Sequence, residues 1–76
     1  MREWLEANPL RLWRLGQGPP RRRSWVAAQI GVTTPCVAHW ETSRRRPSED
    51  SWECIKWLTG LSRQAWDTWL PARPED

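Results

Sequence analysis

The stretch AAQIGVTTPCVAHW, residues 27–40, contains two short apolar helix patterns on either side of a turn signal. The turn contains Gly31, and glycine is the residue type that most readily ends a helix in the left-handed conformation. Pro35 is favoured in the first turn of the next helix. Because so few residues join the two helices, and because Ala27 is small where they cross, we expect a steep crossing angle. The stretch predicts a pair of helices connected by a tight turn.

Outward from this pair, helix start and stop signals predict five helices and no strand. The predicted helices cover residues 9–15, 25–30, 34–40, 49–59 and 63–70. Their expected N-terminal caps are Asn8, Ser24, Thr33 or Thr34, Ser48 and Ser62. Residues 1–7 form either an arm or one short helix, and residues 71–76 form a tail. We therefore predict an all-α fold, a compact five-helix bundle in which residues 1–76 make one domain.

Composition excludes several other classes of protein. All eight aromatic residues are tryptophans, and tryptophan has a large apolar area to bury, so a small core can be stable. Cys36 and Cys54 are eighteen positions apart and His39 is the only histidine, so neither a metal site nor a disulfide framework is indicated. No apolar run approaches the roughly 20 residues that cross a bilayer, and the start of the chain lacks a secretion signal. We expect a cytoplasmic, nucleoid-associated protein without cofactor or membrane contact.

Positive charge is concentrated in residues 8–47, here called the basic segment. This segment holds eight arginines and one acid, Glu41, whereas residues 48–76 hold three bases and six acids. Two runs of three arginines, residues 21–23 and 44–46, lie on either side of the helix pair. A single basic run is more often only a solvated face, but two runs beside the same helices favour a polyanionic partner.

Together these features resemble the phage-repressor and Cro-like (XRE-type) helix-turn-helix family of DNA-binding domains, over residues 10–62. Ala27 and Gly31 match the family's small and turn positions, and WETSRRRP, residues 40–47, resembles the stretch that follows its helix pair. The apolar residues at the family's structural positions are Val26, Ile30, Val32, Val37 and Trp40. Ser43 departs from the family by standing where it prefers glycine.

Two further departures lie before the helix pair, where the loop containing residues 18–23 is slightly longer than usual and Arg23 replaces a frequent glutamine. The resemblance also implies an ion pair between Arg14 of the first predicted helix and Glu41. A partly buried carboxylate requires a fixed partner of this kind. The residues alone leave open the alternative that Glu41 only offsets surface arginines.

The resemblance implies that the second helix of the pair enters the major groove of double-stranded DNA. Its outward candidates for contact with base edges are Thr34, Pro35, Ala38 and His39. The expected phosphate contacts are Arg21, Arg22, Arg23, Thr33, Arg44, Arg45 and Arg46. His39 is the one long polar side chain on the outward face, whereas Thr34 is equally suited to capping the helix. Because hydrogen-bonding groups are few, we expect DNA shape to contribute much of the specificity.

A homodimer that reads two half-sites of a palindromic operator is the default for so small a module. The helix predicted over residues 49–59 is apolar on both sides, so one side requires a cover. The predicted dimer interface is Cys54, Trp57, Leu58, Leu61, Trp66, Trp69 and Leu70. The alternative is that Trp4, Leu5 and the last helix of the same chain provide this cover.

The function implied is that of a transcriptional regulator, in particular a repressor of phage, plasmid or toxin–antitoxin type or a restriction–modification controller. The alternative is an adaptor of the same fold that binds a protein partner, such as RNA polymerase or a toxin, through its tryptophan surface. The sequence has no nucleophile–histidine register, carboxylate dyad, metal spacing or glycine-rich phosphate loop, so we predict that it is not an enzyme.

Overall fold

A computed structural model describes residues 1–74, and within that range the protein is helical and contains no strand. The α-helices are α1 (Arg2–Glu6), α2 (Pro9–Leu15), α3 (Arg23–Ile30), α4 (Thr34–Glu41), α5 (Glu49–Thr59) and α6 (Arg63–Trp69), followed by a 3-10 helix (Leu70–Ala72). The predicted all-α class is confirmed. The described chain has one helix more than predicted because residues 2–6 form a short helix and not an arm.

Side-chain capping explains where three of the six described α-helices begin. Asn8, Thr33 and Ser48 each accept a hydrogen bond from the backbone N–H three residues later, at 3.0, 3.3 and 3.2 Å. Each bond satisfies an N–H group that has no partner inside its helix. Ser62 lies at the N-cap position of α6 without making such a bond. These four predicted starts are confirmed.

Helix α3 begins earlier than the sequence predicts. Arg22 occupies the N-cap position, and its carbonyl accepts hydrogen bonds from the N–H groups of Trp25 and Val26. Ser24 therefore lies inside the first turn, and the prediction that it caps the helix is wrong. The helix gains two residues, Arg23 and Ser24, and the side chain of Arg23 contacts the end of α4.

The turn between α3 and α4 has the predicted form. Gly31 follows α3 with a φ of 86°, in the left-handed region, and Ala27 accepts hydrogen bonds from the N–H groups of Gly31 and Val32. Helix α3 packs against both α4 and α5, and α2 packs against α6. Helix α5, the longest helix of the described chain, therefore packs against α3, the first helix of the pair.

The core contains a chain of tryptophan contacts. Trp66 meets Trp52 edge to face at 5.2 Å between ring centroids, and it meets Trp69 in the same way at 5.5 Å. Both geometries are favourable for aromatic rings. The buried apolar residues are Trp4, Leu10, Val26, Ala27, Val37, Trp40, Trp52, Ile55, Trp66 and Trp69.

Trp4 and Trp69 form a pair, here called the Trp4–Trp69 clasp, that joins α1 to α6. The rings are stacked with centroids 4.2 Å apart and planes 4° from parallel. Each indole Nε1–H donates to the backbone carbonyl of the other residue at 2.7 Å. Both buried indoles therefore keep their hydrogen bonds while the apolar faces leave water.

The predicted tail is partly structured. Pro71 and Ala72 belong to the 3-10 helix, whereas residues 75 and 76 lie outside the described part of the chain. In residues 1–74 no helix has the length and apolar character needed to cross a membrane.

Candidate nucleic-acid interface

Helix α4 is oriented by Val37 and Trp40, which are buried on its inner side. The residues predicted to contact bases are Thr34, Pro35, Ala38 and His39. The first two are exposed and the last two are half-buried. The N-terminal turn of α4 is therefore more exposed than the turn that carries Ala38 and His39.

Thr33 has two possible uses for one hydroxyl. Its Oγ1 accepts the capping bond from the Cys36 N–H at 3.3 Å, and the residue is exposed. A hydroxyl that accepts in this way still has its own proton to donate. Thr33 can therefore cap α4 and bind an anion at the same time.

A buried ion network lies at the C-terminal end of α4. The Glu41 side chain is fully buried and its carboxylate faces the guanidinium of Arg14. Arg14 Nε donates to Oε2 and Arg14 Nη2 donates to Oε1, both at 2.9 Å. This two-bond geometry matches the planar fork of arginine to the carboxylate. The pair that the resemblance implies is present, and Glu41 does more than offset surface charge.

Arg23 joins the same network. Its Nε donates to Glu41 Oε1 at 3.2 Å, and its side chain is 39% exposed. The sequence predicts a phosphate contact for Arg23, but in the free protein its guanidinium is bound to Glu41. A phosphate would therefore have to share or replace this contact.

The preceding arginines lie in different surroundings. Arg21 is half-buried, with its Cζ 4.6 Å from the ring centroid of Trp25. Trp25 in turn lies beside Trp13, with ring centroids 6.4 Å apart and planes at 25°. Arg22 is exposed and, within the described residues, forms no ion pair.

The second arginine run follows directly from the end of α4. Ser43 has a φ of 60°, and this turn allows the N–H of Arg44 to donate to the His39 carbonyl at 2.9 Å. Arg44 and Arg45 are exposed and have no ion pair among residues 1–74. Arg46 differs, because its Nη2 binds the Asp67 carboxylate of α6 at 2.8 Å.

Both arginine runs therefore converge on one turn of α4. Arg23 reaches this turn through Glu41, and Arg44 reaches it through the His39 carbonyl. The candidate interface consists of the outward face of α4, and both arginine runs adjoin the C-terminal turn of this helix. Such an arrangement suits a ligand that presents several negative charges next to a groove.

On α5, part of the surface predicted for dimerisation is open to solvent. Trp57 is 79% exposed, and Cys54, one turn before it, is also exposed. Leu58, Leu61 and Leu70 are half-buried. The open part of this surface therefore consists of one large ring with smaller apolar groups around it.

Trp66 and Trp69 do not belong to that surface. They are 1% and 7% exposed and contact tryptophans of the same chain. The prediction that they form a dimer interface is wrong, because Trp66 packs against Trp52 of α5 and Trp69 packs against Trp4 of α1 in the same chain. The intramolecular alternative therefore holds for Trp66 and Trp69, whereas Trp57 and Cys54 stay uncovered in the described chain.

Two features of the interface were not predicted from the sequence. The contact of Arg21 with Trp25 depends on the path of the loop before α3, although their four-residue separation was a usable signal. The turn at Ser43 places a non-glycine residue in the left-handed region, and the family's preference for glycine at this position was the available indication.

In the described residues, no group of three or more histidine, cysteine or acidic side chains is arranged to bind a metal ion. Comparisons with protein-family models, with curated proteins and with solved structures find no match for this chain.

Proposed function

We propose that this chain is a sequence-specific regulator of transcription that binds double-stranded DNA. In this proposal α3 and α4 form a helix-turn-helix of the phage-repressor type, and α4 enters the major groove. The biological settings that fit are repression in phage, plasmid or toxin–antitoxin operons and control of restriction–modification genes.

The observation that carries the proposal is the convergence of two arginine runs on the C-terminal turn of α4. Arg23 is bound to Glu41, and the backbone of Arg44 is bound to the His39 carbonyl. A helix that enters the major groove lies between two phosphate backbones, so arginines that precede α3 and follow α4 in the chain suit this position. The positive charge lies in the basic segment, whereas residues 48–76 hold more acidic than basic side chains.

Base contacts are assigned to the outward face of α4. Thr34 and His39 provide hydrogen-bonding groups, and Pro35 and Ala38 provide apolar contact of the kind that thymine methyl groups accept. The surrounding arginines fix the position of the protein without reading sequence.

The protein acts as a homodimer in this proposal. Trp57 supplies the central contact, with Cys54 beside it. The acidic residues of α5 lie closer to the start of this helix than Lys56 does. Antiparallel packing of two copies of α5 therefore brings the acidic first turn of one copy towards the end of the other copy that carries Lys56. This exposed surface is small, so we expect dimerisation to be strengthened by DNA with two half-sites.

Sequencing the DNA that the purified protein retains from a random pool tests the proposal directly. The expected result is a repeated half-site. The logarithm of the association constant should fall linearly with the logarithm of salt concentration. His39→Ala should relax the preference at one position of the half-site. Gln64→Ala, an exposed polar substitution on α6, serves as the matched control and should change neither quantity.

Trp57→Glu tests the dimer separately. Sedimentation of this variant with operator DNA should show loss of the two-copy complex while binding to a single half-site remains. A two-copy complex that survives this substitution would remove α5 from the interface.

An adaptor that binds a protein partner is the second candidate, and the exposure of Trp57 is the observation in its favour. Five of the eight tryptophans are buried in the core, so the surface available to such a partner is narrow. Absence of DNA binding at low salt would favour the adaptor over the regulator.

A further inference from the structure

The arginine run at residues 21–23 has three different environments in three consecutive residues. Arg23 is bound to a carboxylate, Arg22 is exposed, and Arg21 lies on the ring of Trp25. Within residues 1–74 Arg21 has no ion pair. Arg21 is therefore the member of the run whose guanidinium is held in place while its charge is uncompensated.

The backbone of Arg21 is fixed by Arg14. The Arg21 N–H donates to the Arg14 carbonyl at 2.9 Å, and Arg14 Nη1 donates to the Arg21 carbonyl at 3.0 Å. Arg14 is buried and bound to Glu41. The same guanidinium thus fixes both the end of α4 and the loop that carries Arg21.

The side chain of Arg21 is fixed by Trp25. Trp25 is half-buried, packs against the core and lies beside Trp13. A guanidinium above an aromatic face is attracted by the ring electrons, while its N–H groups remain in its own plane. The contact with Trp25 therefore restricts Arg21 without using its hydrogen-bond donors.

The donors lie at an open cleft of about 390 Å³ beside the ring. The lining residues are Pro20, Arg21, Arg22, Ser24 and Trp25. Two guanidinium groups and one hydroxyl supply hydrogen-bond donors with two positive charges, and no acidic residue lines the cleft. This donor set fits a phosphate group, since arginine forms two parallel bonds with phosphate oxygens.

We propose that Trp25 is a positioning residue that holds the Arg21 guanidinium at this cleft to bind one backbone phosphate of DNA. The inference rests on the proposed function and deepens it by assigning different roles to neighbouring arginines. Arg21 binds from a fixed position, whereas Arg22 must order its side chain when it binds. An arginine that is already ordered loses less conformational entropy on binding.

Fluorescence anisotropy of a labelled random-sequence duplex, titrated over a range of salt concentrations, tests the inference. Arg21→Ala should weaken binding and reduce the slope of log affinity against log salt by about one, as expected for one lost phosphate contact. Trp25→Leu should weaken binding by about two- to fivefold, the range for an exposed cation–π contact. The slope of Trp25→Leu should not change, because the charge of Arg21 remains.

A double-mutant cycle separates positioning from general damage to the fold. Arg21→Ala should cost less affinity in the Trp25→Leu background than in the wild type. Arg22→Ala is the matched control and should cost the same in both backgrounds. Trp25→Phe, which keeps an aromatic face, should recover most of the affinity, and circular dichroism should show an unchanged helix content in each variant.

Additive effects of Arg21→Ala and Trp25→Leu would overturn the inference, as would equal losses for Trp25→Phe and Trp25→Leu. If Trp25→Leu does not fold, the cycle is run with Trp25→Met, a second variant without an aromatic face, and additivity there has the same meaning. Failure of the proposed function is distinct, because the wild-type protein would then show no salt-dependent affinity for the duplex.

Discussion

The tryptophan cluster, made of Trp4, Trp52, Trp66 and Trp69, and the basic segment, residues 8–47, are stabilised by different chemistry. In the cluster, stacked and edge-to-face rings leave water, and the Trp4–Trp69 clasp satisfies its own N–H groups. In the basic segment a buried carboxylate holds two arginines. Burial in the tryptophan cluster therefore stabilises the fold away from the candidate interface, whereas the ion network fixes Arg14 and Arg23 at the end of α4.

The largest expected effect is in the tryptophan cluster. Trp69→Ala removes a buried ring and the hydrogen bond that its indole donates to the Trp4 carbonyl, and it should lower the free energy of unfolding by about 3–5 kcal/mol. Trp57→Ala, a control at an exposed position, should change it by less than about 0.5 kcal/mol. Urea denaturation followed by circular dichroism measures both. Similar losses for the two variants would contradict the difference in burial on which the comparison rests.

The next effect is in the ion network. Glu41→Gln removes the charge that faces Arg14 and should lower the free energy of unfolding by about 3 kcal/mol, since a buried arginine is left without its partner. Glu49→Gln breaks the half-exposed pair with Arg63 and should cost less than about 1 kcal/mol. Thermal unfolding of both variants measures the difference. Equal midpoints would show that the network does not stabilise the basic segment.

A smaller effect is expected at the backbone turn after α4. Ser43→Gly should raise the free energy of unfolding by about 0.5–1 kcal/mol, because a left-handed conformation is unfavourable for residues with a Cβ atom. Gly31→Ala is the reverse experiment. Open space surrounds this glycine and its φ is 86°, so the substitution should cost about 1 kcal/mol through backbone strain alone. If the denaturant midpoints of Ser43→Gly and Gly31→Ala shift in the same direction, this explanation is wrong.

The smallest effect on stability is expected where the two regions meet. Arg46 of the basic segment binds Asp67 of α6, and both side chains are more than half exposed. Asp67→Asn should therefore change the free energy of unfolding by less than about 1 kcal/mol. It should also release Arg46 and make DNA binding steeper in salt, by up to about one unit of log–log slope. An unchanged slope would show that Arg46 does not approach phosphate.

Local signals allowed most helix boundaries to be predicted from the sequence. The capping side chains accept hydrogen bonds from N–H groups only three residues away, at Asn8, Thr33 and Ser48. The left-handed conformation of Gly31 depends only on its own backbone. These effects require no knowledge of the remaining fold. The boundary at Arg23 was missed because that residue is fixed by Glu41, which is 18 positions further along the chain.

Periodicity could identify the apolar faces of the last two helices but could not say what covers them. Trp66 and Trp69 were assigned to a second copy because the sequence does not show that Trp4, 65 positions before Trp69, returns to the same place. The Arg14–Glu41 pair was expected from family resemblance, whereas the stack of Arg21 on Trp25 depends on the path of a loop. The local chemistry was thus predictable, whereas long-range pairing was predictable only where the family resemblance implied it, as for Arg14 and Glu41.

The Trp4–Trp69 clasp has a mechanical consequence. It joins the first helix to the last across nearly the whole described chain, so few residues lie outside it at either end. Tension applied between the two ends of the chain therefore acts first on the stacked indoles and their paired hydrogen bonds. While the clasp holds, the helix pair between its two residues experiences no pulling force.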